Sequence, residues 1–381
     1  MERVLYHENR MPAIINGNLF FIPYRLFMPR PIQARIDLSA LERNLQVARR
    51  ATGARIMAVI KADAYGHGLL RAAEALDAAE GFALLDIRDA ICLRDAGFNQ
   101  TILLLEGFFT PDDLPKVAQY DLTCVIHCYQ QIDMLDAYPG RGSLNVWFKI
   151  GSGMNRLGFS PDKVHAALER LRIHPAVGDI TLMTHFSRAD EVNGVAEQLE
   201  VFHELVAPYR MARSLANSAA LLRFPETHAD WVRPAIMLYG ASPFAEISAQ
   251  QLGLQPVMTL QSRIIAVQEL RAGETIGYGG LFRAEAPMRV GVVACGYADG
   301  YPRHAPTGTP VLVDDYPTRI LGRISMDMLS VDLSALPDAD VGSRVTLWGA
   351  GLPVEQVAHA AGTISYELLC ALTARVPIVT N

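Results

Sequence analysis

Residues 56–68 read Ile56-Met57-Ala58-Val59-Ile60-Lys61-Ala62-Asp63-Ala64-Tyr65-Gly66-His67-Gly68. The apolar run Ile56–Ile60 predicts a buried strand, and it delivers Lys61 to the point where that strand should end. A helical pattern then begins at Leu69. Desolvation at an apolar strand end lowers the pKa of a lysine from its usual value of about 10.4, which makes the amine a nucleophile or base able to form a Schiff base with an aldehyde. On this residue alone, a lysine whose ammonium simply reaches out to solvent is an equally good interpretation.

The length and composition indicate a protein of two domains. With 381 residues the chain is too long for one ordinary core, and one of its domains has room to be a barrel. Half of the residues are hydrophobic and the formal net charge is −6, which fits a soluble globular protein and leaves no basic surface for nucleic acid. The five cysteines are an odd number and stand in apolar runs, as expected for reduced thiols in the cytoplasm. The cluster Cys124–Cys128 lacks a second pair of ligands, so we expect no metal site.

Residues 1–30 differ from the rest, and we predict that they are an N-terminal extension. Their apolar stretch Ile14–Phe27 is interrupted by polar residues, a glycine and a proline, so it cannot span a bilayer as an apolar helix. No basic segment with a small-residue cleavage site is evident, so we expect no membrane contact. Our hypothesis is that the native chain begins at Met28.

The middle of the chain, residues 31–250, alternates between apolar runs and amphipathic helical segments. Near-continuous apolar runs are typical of strands buried on both faces, as in a parallel sheet. Eight such strand–helix units predict a (β/α)8 barrel with its chemistry at the carboxyl ends of the strands. A doubly wound sheet is the alternative, but the Gly-x-Gly-x-x-Gly turn expected after its first strand is missing. The eight runs are Ile56–Ile60, Phe82–Ile87, Thr101–Glu106, Leu122–His127, Leu144–Ile150, Ile180–Phe186, Ser214–Ala216 and Trp231–Tyr239.

Residues 251–381 show a different pattern, which predicts a mainly β domain. Met258–Val267 alternates between apolar and polar residues, as a half-buried strand does, and several short strands follow between turns. Only Val354–Ala361 and the tail Tyr366–Ala374 look helical. The short piece Gln33–Asp37, from the other side of the barrel segment, is a candidate to pair with this domain.

Four other stretches are similar to the one around Lys61, because each of them has a lysine, arginine or tyrosine close to glycines. They are Leu144–Gly158, Trp231–Gly240, Glu274–Gly280 and Gly296–Arg303. In this order the stretches resemble the motifs of the alanine racemases, which are pyridoxal-phosphate enzymes built from a barrel and a β domain. The resemblance extends from about residue 33 to the end of the chain.

The resemblance implies a pyridoxal-phosphate site in the barrel. Lys61 would hold the cofactor, Arg233 would contact its pyridine nitrogen, and His185 would lie beside Arg233. Arg156 would bind the substrate carboxylate, and Lys149 would be the lysine that is often carbamylated. The remaining cofactor-binding residues would be Tyr65, Asn217, Ser218, Ala235, Ile236 and Tyr366. Serine at position 218 is equally suited to cap a helix, and the two roles are compatible.

The resemblance also assigns residues of the second domain to the active site. Tyr278 would be a second catalytic base, acting on the opposite face of the substrate from Lys61. In the family this tyrosine comes from the partner subunit, which implies a homodimer with shared active sites. Tyr297 would line the substrate entrance, and the backbone of Met326 would lie beside the substrate carboxylate.

These features predict an enzyme that interconverts L-alanine and D-alanine, either to supply D-alanine for peptidoglycan or to degrade it. A racemase of broader specificity on the same scaffold is one alternative, because pocket shape decides the substrate. A decarboxylase of the same fold would lack the motif around Tyr278. A carrier protein that only binds pyridoxal phosphate would need neither that motif nor the one around Tyr297.

Overall fold

A computed structural model of the chain describes residues 10–15, 18–23, 30–140 and 144–380. Strands β1 (Arg10–Ile15) and β2 (Asn18–Pro23) pair as an antiparallel hairpin, and strand β3 (Gln33–Ile36) follows. The start at Met28 that we predicted lies outside the described residues. The domain boundaries proposed from the sequence stay predictions.

Parallel strands close into a barrel in the first part of the chain. Within the described ranges its eight strands are β4 (Arg55–Val59), β5 (Gly81–Leu84), β6 (Thr101–Leu104), β7 (Leu122–Ile126), β8 (Leu144–Lys149), β9 (Val177–Met183), β10 (Ala212–Ser214) and β11 (Trp231–Val232). Each pairs with its neighbours in chain order, and β11 pairs with β4 to complete the ring, with Trp231 opposite Arg55. The predicted (β/α)8 barrel is therefore confirmed, and the doubly wound sheet is excluded.

Helices cover the outside of this barrel. In the same part of the structure they are α1 (Leu38–Ala51), α2 (Leu69–Ala75), α3 (Ile87–Asp95), α4 (Leu114–Gln119), α5 (Tyr129–Asp136), α6 (Pro161–Arg172), α7 (Ala196–Val206) and α8 (Ser218–Arg223), with short 3-10 helices at Pro111–Asp113, Pro225–Thr227 and Ile236–Tyr239. Their start signals are local: the carboxylate of Asp37 accepts a hydrogen bond of 3.0 Å from the N–H of Ala40.

Several predicted strands are shorter than their apolar runs. The run Trp231–Tyr239 is wrong as one strand, because only Trp231–Val232 is extended and Ile236–Tyr239 forms a 3-10 helix. Pro234 lies between them and has no N–H to donate to a sheet ladder. The sixth strand, Val177–Met183, begins and ends about three residues before the run Ile180–Phe186. Many of the residues beyond these strand ends line a cavity, and their side chains suit that cavity and not a sheet.

The second domain is a mainly antiparallel sheet, as predicted. In the described chain it contains β12 (Met258–Leu270), β15 (Met288–Val293), β16 (Pro310–Val313), β17 (Tyr316–Leu321), β18 (Leu329–Asp332), β19 (Arg344–Trp348) and β20 (Ile378–Thr380), with the small pair β13 (Thr275–Ile276) and β14 (Phe282–Arg283), the helices α9 (Val354–Ala360) and α10 (Ser365–Cys370), and 3-10 helices at Tyr278–Gly280 and Tyr297–Asp299.

Strand β3 ties the start of the chain to this second sheet. It pairs antiparallel with β12, with Ile36 opposite Met258, and parallel with β20, so the predicted pairing of this piece with the β domain is confirmed. None of the helices in the described part of the chain has both the length and the apolar character needed to cross a bilayer.

Candidate active site

A cavity of about 760 Å³ opens at the carboxyl ends of the barrel strands, the end at which barrel enzymes keep their chemistry. We call it the active-site cavity. It brings together residues from the ends of at least five strands, together with two from helix α10. The predicted site residues that line it are Lys61, Tyr65, Lys149, Arg156, His185, Asn217, Ser218, Arg233, Ala235 and Tyr366.

Lys61 lies two residues after the end of the first barrel strand and begins a left-handed turn, Lys61–Gly66. The four residues from Ala62 to Tyr65 have φ between 51° and 56°. This conformation costs an L-residue about 1–2 kcal/mol, so four in succession persist only where the surroundings hold them. The turn replaces the ordinary strand-to-helix connection and directs the lysine into the cavity.

Aromatic packing and one close backbone contact hold this turn. The ring of Tyr65 stacks on the ring of Tyr239 at 4.6 Å, and the Tyr239 hydroxyl donates a hydrogen bond of 2.8 Å to the carbonyl of Val59. At Gly66 an added Cβ would lie 2.4 Å from the carbonyl oxygen of Leu369, so only glycine fits. The turn is therefore clamped between the barrel and helix α10, and the position of the Lys61 amine depends on both domains.

Arg233 is the most deeply buried charge in the cavity wall. It is 3% exposed, and its guanidinium donates to Ser214 Oγ at 2.6 Å and to the carbonyls of Thr184 and Leu215 at 2.7 and 3.1 Å. Burial lowers the pKa of Arg233 to about 10, so it remains protonated at neutral pH. Among the described residues, its Nε–H and the second Nη1–H have no partner, and the edge that carries Nε–H is available to a group in the cavity.

The electrostatics of the cavity favour an anionic ligand. The basic side chains of Lys61, Lys149, Arg156 and Arg233 line it, whereas Glu106 is the carboxylate among the described lining residues. Burial, and then the charge of Arg156, lowers the pKa of Lys61. Burial, followed by Arg233 and Arg156, lowers the pKa of Lys149 to about 8. A lowered pKa enlarges the neutral fraction of each amine, and the neutral amine is the form that reacts with electrophiles.

His185 is kept neutral by the same surroundings. Burial, followed by the positive charges of Arg233 and Lys149, lowers its pKa to about 3. A neutral imidazole adds no further positive charge to the cavity that His185 lines. It is thus suited to packing against a planar ring rather than to transferring protons near neutral pH.

Asn217 and Ser218 form a small polar site at the start of helix α8. The side chain of Asn217 accepts a hydrogen bond of 3.0 Å from the N–H of Ala220, so Asn217 is the helix cap and the alternative that Ser218 caps the helix is wrong. The Ser218 hydroxyl accepts a bond of 2.8 Å from the N–H of Ala235. Its own proton remains available to a ligand oxygen.

Comparison with known families agrees with this geometry. The sequence model described as alanine racemase, N-terminal domain, matches residues 36–243, and the one described as alanine racemase, C-terminal domain, matches residues 257–380. The chain belongs to the alanine racemase family.

Individual alanine racemases are similar over nearly the whole chain. The enzyme of Nitrosospira multiformis is 63% identical over 357 residues, which are 93% of this chain and 100% of the relative. The catabolic alanine racemase of Klebsiella aerogenes is 52% identical over 93% of this chain and 100% of its own. The crystal structure of the biosynthetic alanine racemase from Pseudomonas aeruginosa superposes with a TM-score of 0.91 at 48% identity, and the match covers 92% of this chain and 99% of that one.

Three residues that the family resemblance assigns to the site lie elsewhere in the single chain. Tyr278, Tyr297 and Met326 are 71%, 38% and 52% exposed, and none is among the described residues that line the active-site cavity. A fourth, Ile236, is fully buried at the start of its 3-10 helix and does not line the cavity either. Its backbone N–H has no partner within that helix. One chain therefore does not bring Lys61 and Tyr278 together.

An ion-pair cluster fixes the loops that carry two of these exposed residues. Arg30 donates to the carboxylate of Asp299 and to the carbonyl of Asp327, each at 2.7 Å, and Arg375 pairs with Asp327 at 2.6 Å. Asp299 is fully buried and also accepts a bond of 2.9 Å from the N–H of Gly296. The loops around Tyr297 and Met326 thus have a defined shape even though they point away from the chain's own cavity.

Several lining residues were missed by sequence reasoning. Glu106 and His127 are the last residues of two runs that the sequence predicted as barrel strands, and in the structure both lie beyond the strand ends. Burial lowers the pKa of His127. Their place at the ends of apolar runs was a usable signal, since carboxyl ends of barrel strands face the site. The same signal applies to the missed apolar side chains that lie within the predicted runs: Val59, Leu85, Leu105 and Met183. It does not apply to those that lie outside the runs: Ala62, Phe109, Leu157 and Cys370.

Proposed function

We propose that this chain interconverts L-alanine and D-alanine with pyridoxal phosphate as its cofactor. The observation that carries the proposal is the pairing of a half-buried amine, Lys61, with the unpaired guanidinium edge of Arg233 in one cavity. An aldehyde that is also an anion and has a ring nitrogen matches these two groups and the surplus positive charge around them.

The residues present fit that cofactor. The Lys61 amine would hold its aldehyde carbon, and the free edge of Arg233 would donate to its ring nitrogen. The hydroxyls of Tyr65, Ser218 and Tyr366 would donate to its phosphate. Burial raises the pKa of Tyr65 and raises that of Tyr366 to about 12, so both hydroxyls keep their protons at neutral pH. The Ile236 N–H would be a further donor.

Bound there, pyridoxal phosphate would supply a conjugated electron sink that acidifies the Cα–H of alanine. Because the Arg233 guanidinium stays protonated, it cannot give a proton to the ring nitrogen, and the ring remains a weak sink. This limits the chemistry to exchange of a proton at Cα and disfavours slower side reactions. Arg156 would bind the substrate carboxylate and fix which face of Cα each base reaches.

Racemisation needs a proton removed from one face of Cα and another delivered to the opposite face. Lys61 would act on one face, since its lowered pKa favours the neutral amine that accepts a proton. The second base would be Tyr278 of a partner subunit in a homodimer. In support, Tyr278 and Leu281, which are three residues apart in the chain, are large apolar side chains that stand exposed in the single chain. A partner subunit would cover them.

The loops fixed by Asp299 would then contribute to the partner's site. Tyr297 would line the entrance, and the backbone of Met326 would contact the substrate carboxylate. On the barrel side, the neutral fraction of Lys149 would react with carbon dioxide to give a carbamate, which could pair with Arg156 as an anion. We place the enzyme in the cytoplasm, because its cysteines are free in the structure.

A racemase of broader specificity and a carrier that only binds pyridoxal phosphate remain the rival functions. Replacing Tyr278 by phenylalanine separates the carrier from the racemase. We expect the variant to keep the visible absorbance of the bound cofactor and to lose alanine racemisation about 100-fold or more, as for loss of a general base. Tyr316→Phe is the matched control, because Tyr316 is another exposed tyrosine of the same domain.

Circular dichroism of L-alanine solutions measures the turnover, and the cofactor spectrum measures binding. Full activity in Tyr278→Phe would overturn the two-base assignment. A protein that remains colourless after incubation with pyridoxal phosphate would overturn the cofactor assignment. Equal rates with alanine, serine and lysine would favour the broader racemase.

A further inference from the structure

A separate cavity of about 570 Å³ lies at the amino-terminal end of the barrel, and we call it the amino-terminal cavity. The same strands line both cavities at alternate positions: Trp147 and Lys149 on β8, and Thr181 and Met183 on β9. Alternate residues of a strand face the same side, so both cavities lie along the barrel axis. The rings of Trp147 and Trp231, 5.8 Å apart, form part of the layer between them.

Two threonine hydroxyls in the wall of the amino-terminal cavity are available to a ligand. Thr123 and Thr181 are 5% and 8% exposed, and both line the cavity. Neither hydroxyl makes a hydrogen bond to another residue in the described part of the chain. A polar occupant of the cavity could therefore bind both hydroxyls without displacing a bond within the protein. Asn145 adds a donor, because its carbonyl oxygen accepts from the N–H of Asp179 at 3.2 Å and its amide N–H2 group is left over.

The charge around this cavity is positive. Arg55, Arg172 and Arg210 line it, against the carboxylate of Asp179. Arg172 is partly neutralised by Glu169 at 2.7 Å. Arg55 and Arg210 have no ion pair or hydrogen bond from their side chains within residues 30–140 and 144–380.

Arg55 is also held in a suitable orientation. Its guanidinium carbon lies 4.2 Å above the ring of Trp231. Stacking of this kind uses the face of the guanidinium and leaves its N–H groups free around the edge. A planar fork of donors held in place in this way is suited to an oxyanion, which it can bind through two parallel hydrogen bonds.

We propose that the amino-terminal cavity binds a phosphate group, either as inorganic phosphate or on a small phosphate monoester. Two arginine forks, two threonine hydroxyls and an amide offer more donors than the two oxygens of a carboxylate accept, whereas a phosphate presents three or four oxygens. The cavity is within the size range of small-molecule sites and leaves room beside the phosphate for the organic part of an ester. The site is distinct from the active-site cavity and does not depend on the proposed racemase activity.

Tryptophan fluorescence of the enzyme loaded with pyridoxal phosphate tests this proposal. The chain has three tryptophans, and the third, Trp348, is fully buried in the second domain. We expect inorganic phosphate or methyl phosphate, titrated at constant ionic strength, to give a saturable change. Arg55→Gln should weaken the affinity about tenfold or more, and Thr123→Val should weaken it several-fold. Arg263→Gln, at an exposed arginine of β12, is the control and should leave it unchanged.

The two ligands identify the source of the phosphate. Saturation by both indicates a site for free phosphate, and saturation by methyl phosphate alone indicates a site for esters. Absence of a saturable change with either would overturn the proposal, as would equal affinities in the wild type, Arg55→Gln and Thr123→Val. Alanine turnover in Arg55→Gln is expected to stay at the wild-type level, which verifies that the variant is folded.

Discussion

Ser214 is the side chain that anchors the buried guanidinium of Arg233, and replacing it by alanine tests how that charge is held. Its hydroxyl accepts a hydrogen bond of 2.6 Å from Arg233 and donates one of 3.0 Å to the carbonyl of Trp231. Ser214 is fully buried, so water cannot replace the lost group. A hydrogen bond to a charged group contributes about 1.5–3 kcal/mol and a neutral one about 0.5–1.5 kcal/mol. We therefore expect Ser214→Ala to lower the free energy of unfolding by about 2–4 kcal/mol.

The same substitution should weaken cofactor binding. Arg233 keeps its bonds to the carbonyls of Thr184 and Leu215, so it stays in the cavity wall, but its free edge is no longer fixed. We expect the dissociation constant for pyridoxal phosphate to rise about tenfold, which corresponds to about 1.4 kcal/mol. Urea unfolding followed by circular dichroism measures the stability, and titration of the visible absorbance measures the affinity.

Ser262→Ala is the matched control. Ser262 is also buried and donates to a backbone carbonyl, that of Ala294 at 2.8 Å, but no guanidinium contacts it. Its loss should cost only about 0.5–1.5 kcal/mol and leave cofactor affinity unchanged. Equal losses of stability in Ser214→Ala and Ser262→Ala, with cofactor affinity unchanged in both, would refute the reasoning about Arg233.

Three further predictions concern the turn after Lys61 and the loops of the second domain. Gly66→Ala should lower the urea midpoint, because φ is +78° there and the new Cβ would lie 2.4 Å from the Leu369 carbonyl oxygen; an unchanged midpoint would show that the turn is not clamped. Burial lowers the pKa of His67 to about 4, below its value of about 6.5 in an unfolded chain. Between these two values the unfolded state binds a proton that the folded state does not. The free energy of unfolding therefore falls as the pH drops from about 6.5 toward 4, by up to about 1.4 kcal/mol per pH unit. Unfolding measured at pH 7 and pH 5 should show a smaller pH dependence in His67→Gln, and the same slope as in the wild type would contradict this. Arg30→Met removes the ion pair of 2.7 Å to the buried Asp299 and should lower the free energy of unfolding by about 2 kcal/mol, measured by thermal unfolding at low salt. This is less than the cost of breaking a fully buried pair, because Arg30 is partly exposed. A change in the unfolding temperature within error would mean that the loop is held without this ion pair.

The sequence predicted the architecture because the barrel strands are buried on both faces. Runs such as Ile56–Ile60 and Leu122–His127 are apolar throughout, which distinguishes them from the alternating run Met258–Val267 of the second domain. The predicted positions of the strand ends were less accurate than the predicted architecture. Glu106 and His127 continue the runs of their strands in sequence, but in the structure they turn into the cavity.

The left-handed turn could not have been predicted from local preferences. Ala62, Asp63, Ala64 and Tyr65 have side chains, and each one favours the right-handed region on its own. The turn forms because the tertiary contacts of Tyr65 with Tyr239 outweigh those preferences. The motif nevertheless located Lys61, since a sequence pattern can mark a position whose backbone geometry it does not explain.

The positions of Tyr278, Tyr297 and Met326 mark the limit of a single chain. Motif order placed them in the active site, whereas the structure of one chain leaves them exposed on the second domain. Sequence periodicity carries no information on which subunit completes a site. The proposed homodimer would resolve the difference if each β domain faced the cavity of the other barrel.

Complementation between two inactive variants tests this central claim most directly. Lys61→Ala lacks the first base and Tyr278→Phe lacks the second, so each homodimer should racemise alanine poorly. If each active site takes its lysine from one subunit and its tyrosine from the other, a mixed dimer contains one intact site, and random mixing of the two chains restores about one quarter of the wild-type rate. A mixture no more active than its two parents, with mixed dimers verified by mass spectrometry, would contradict the shared site.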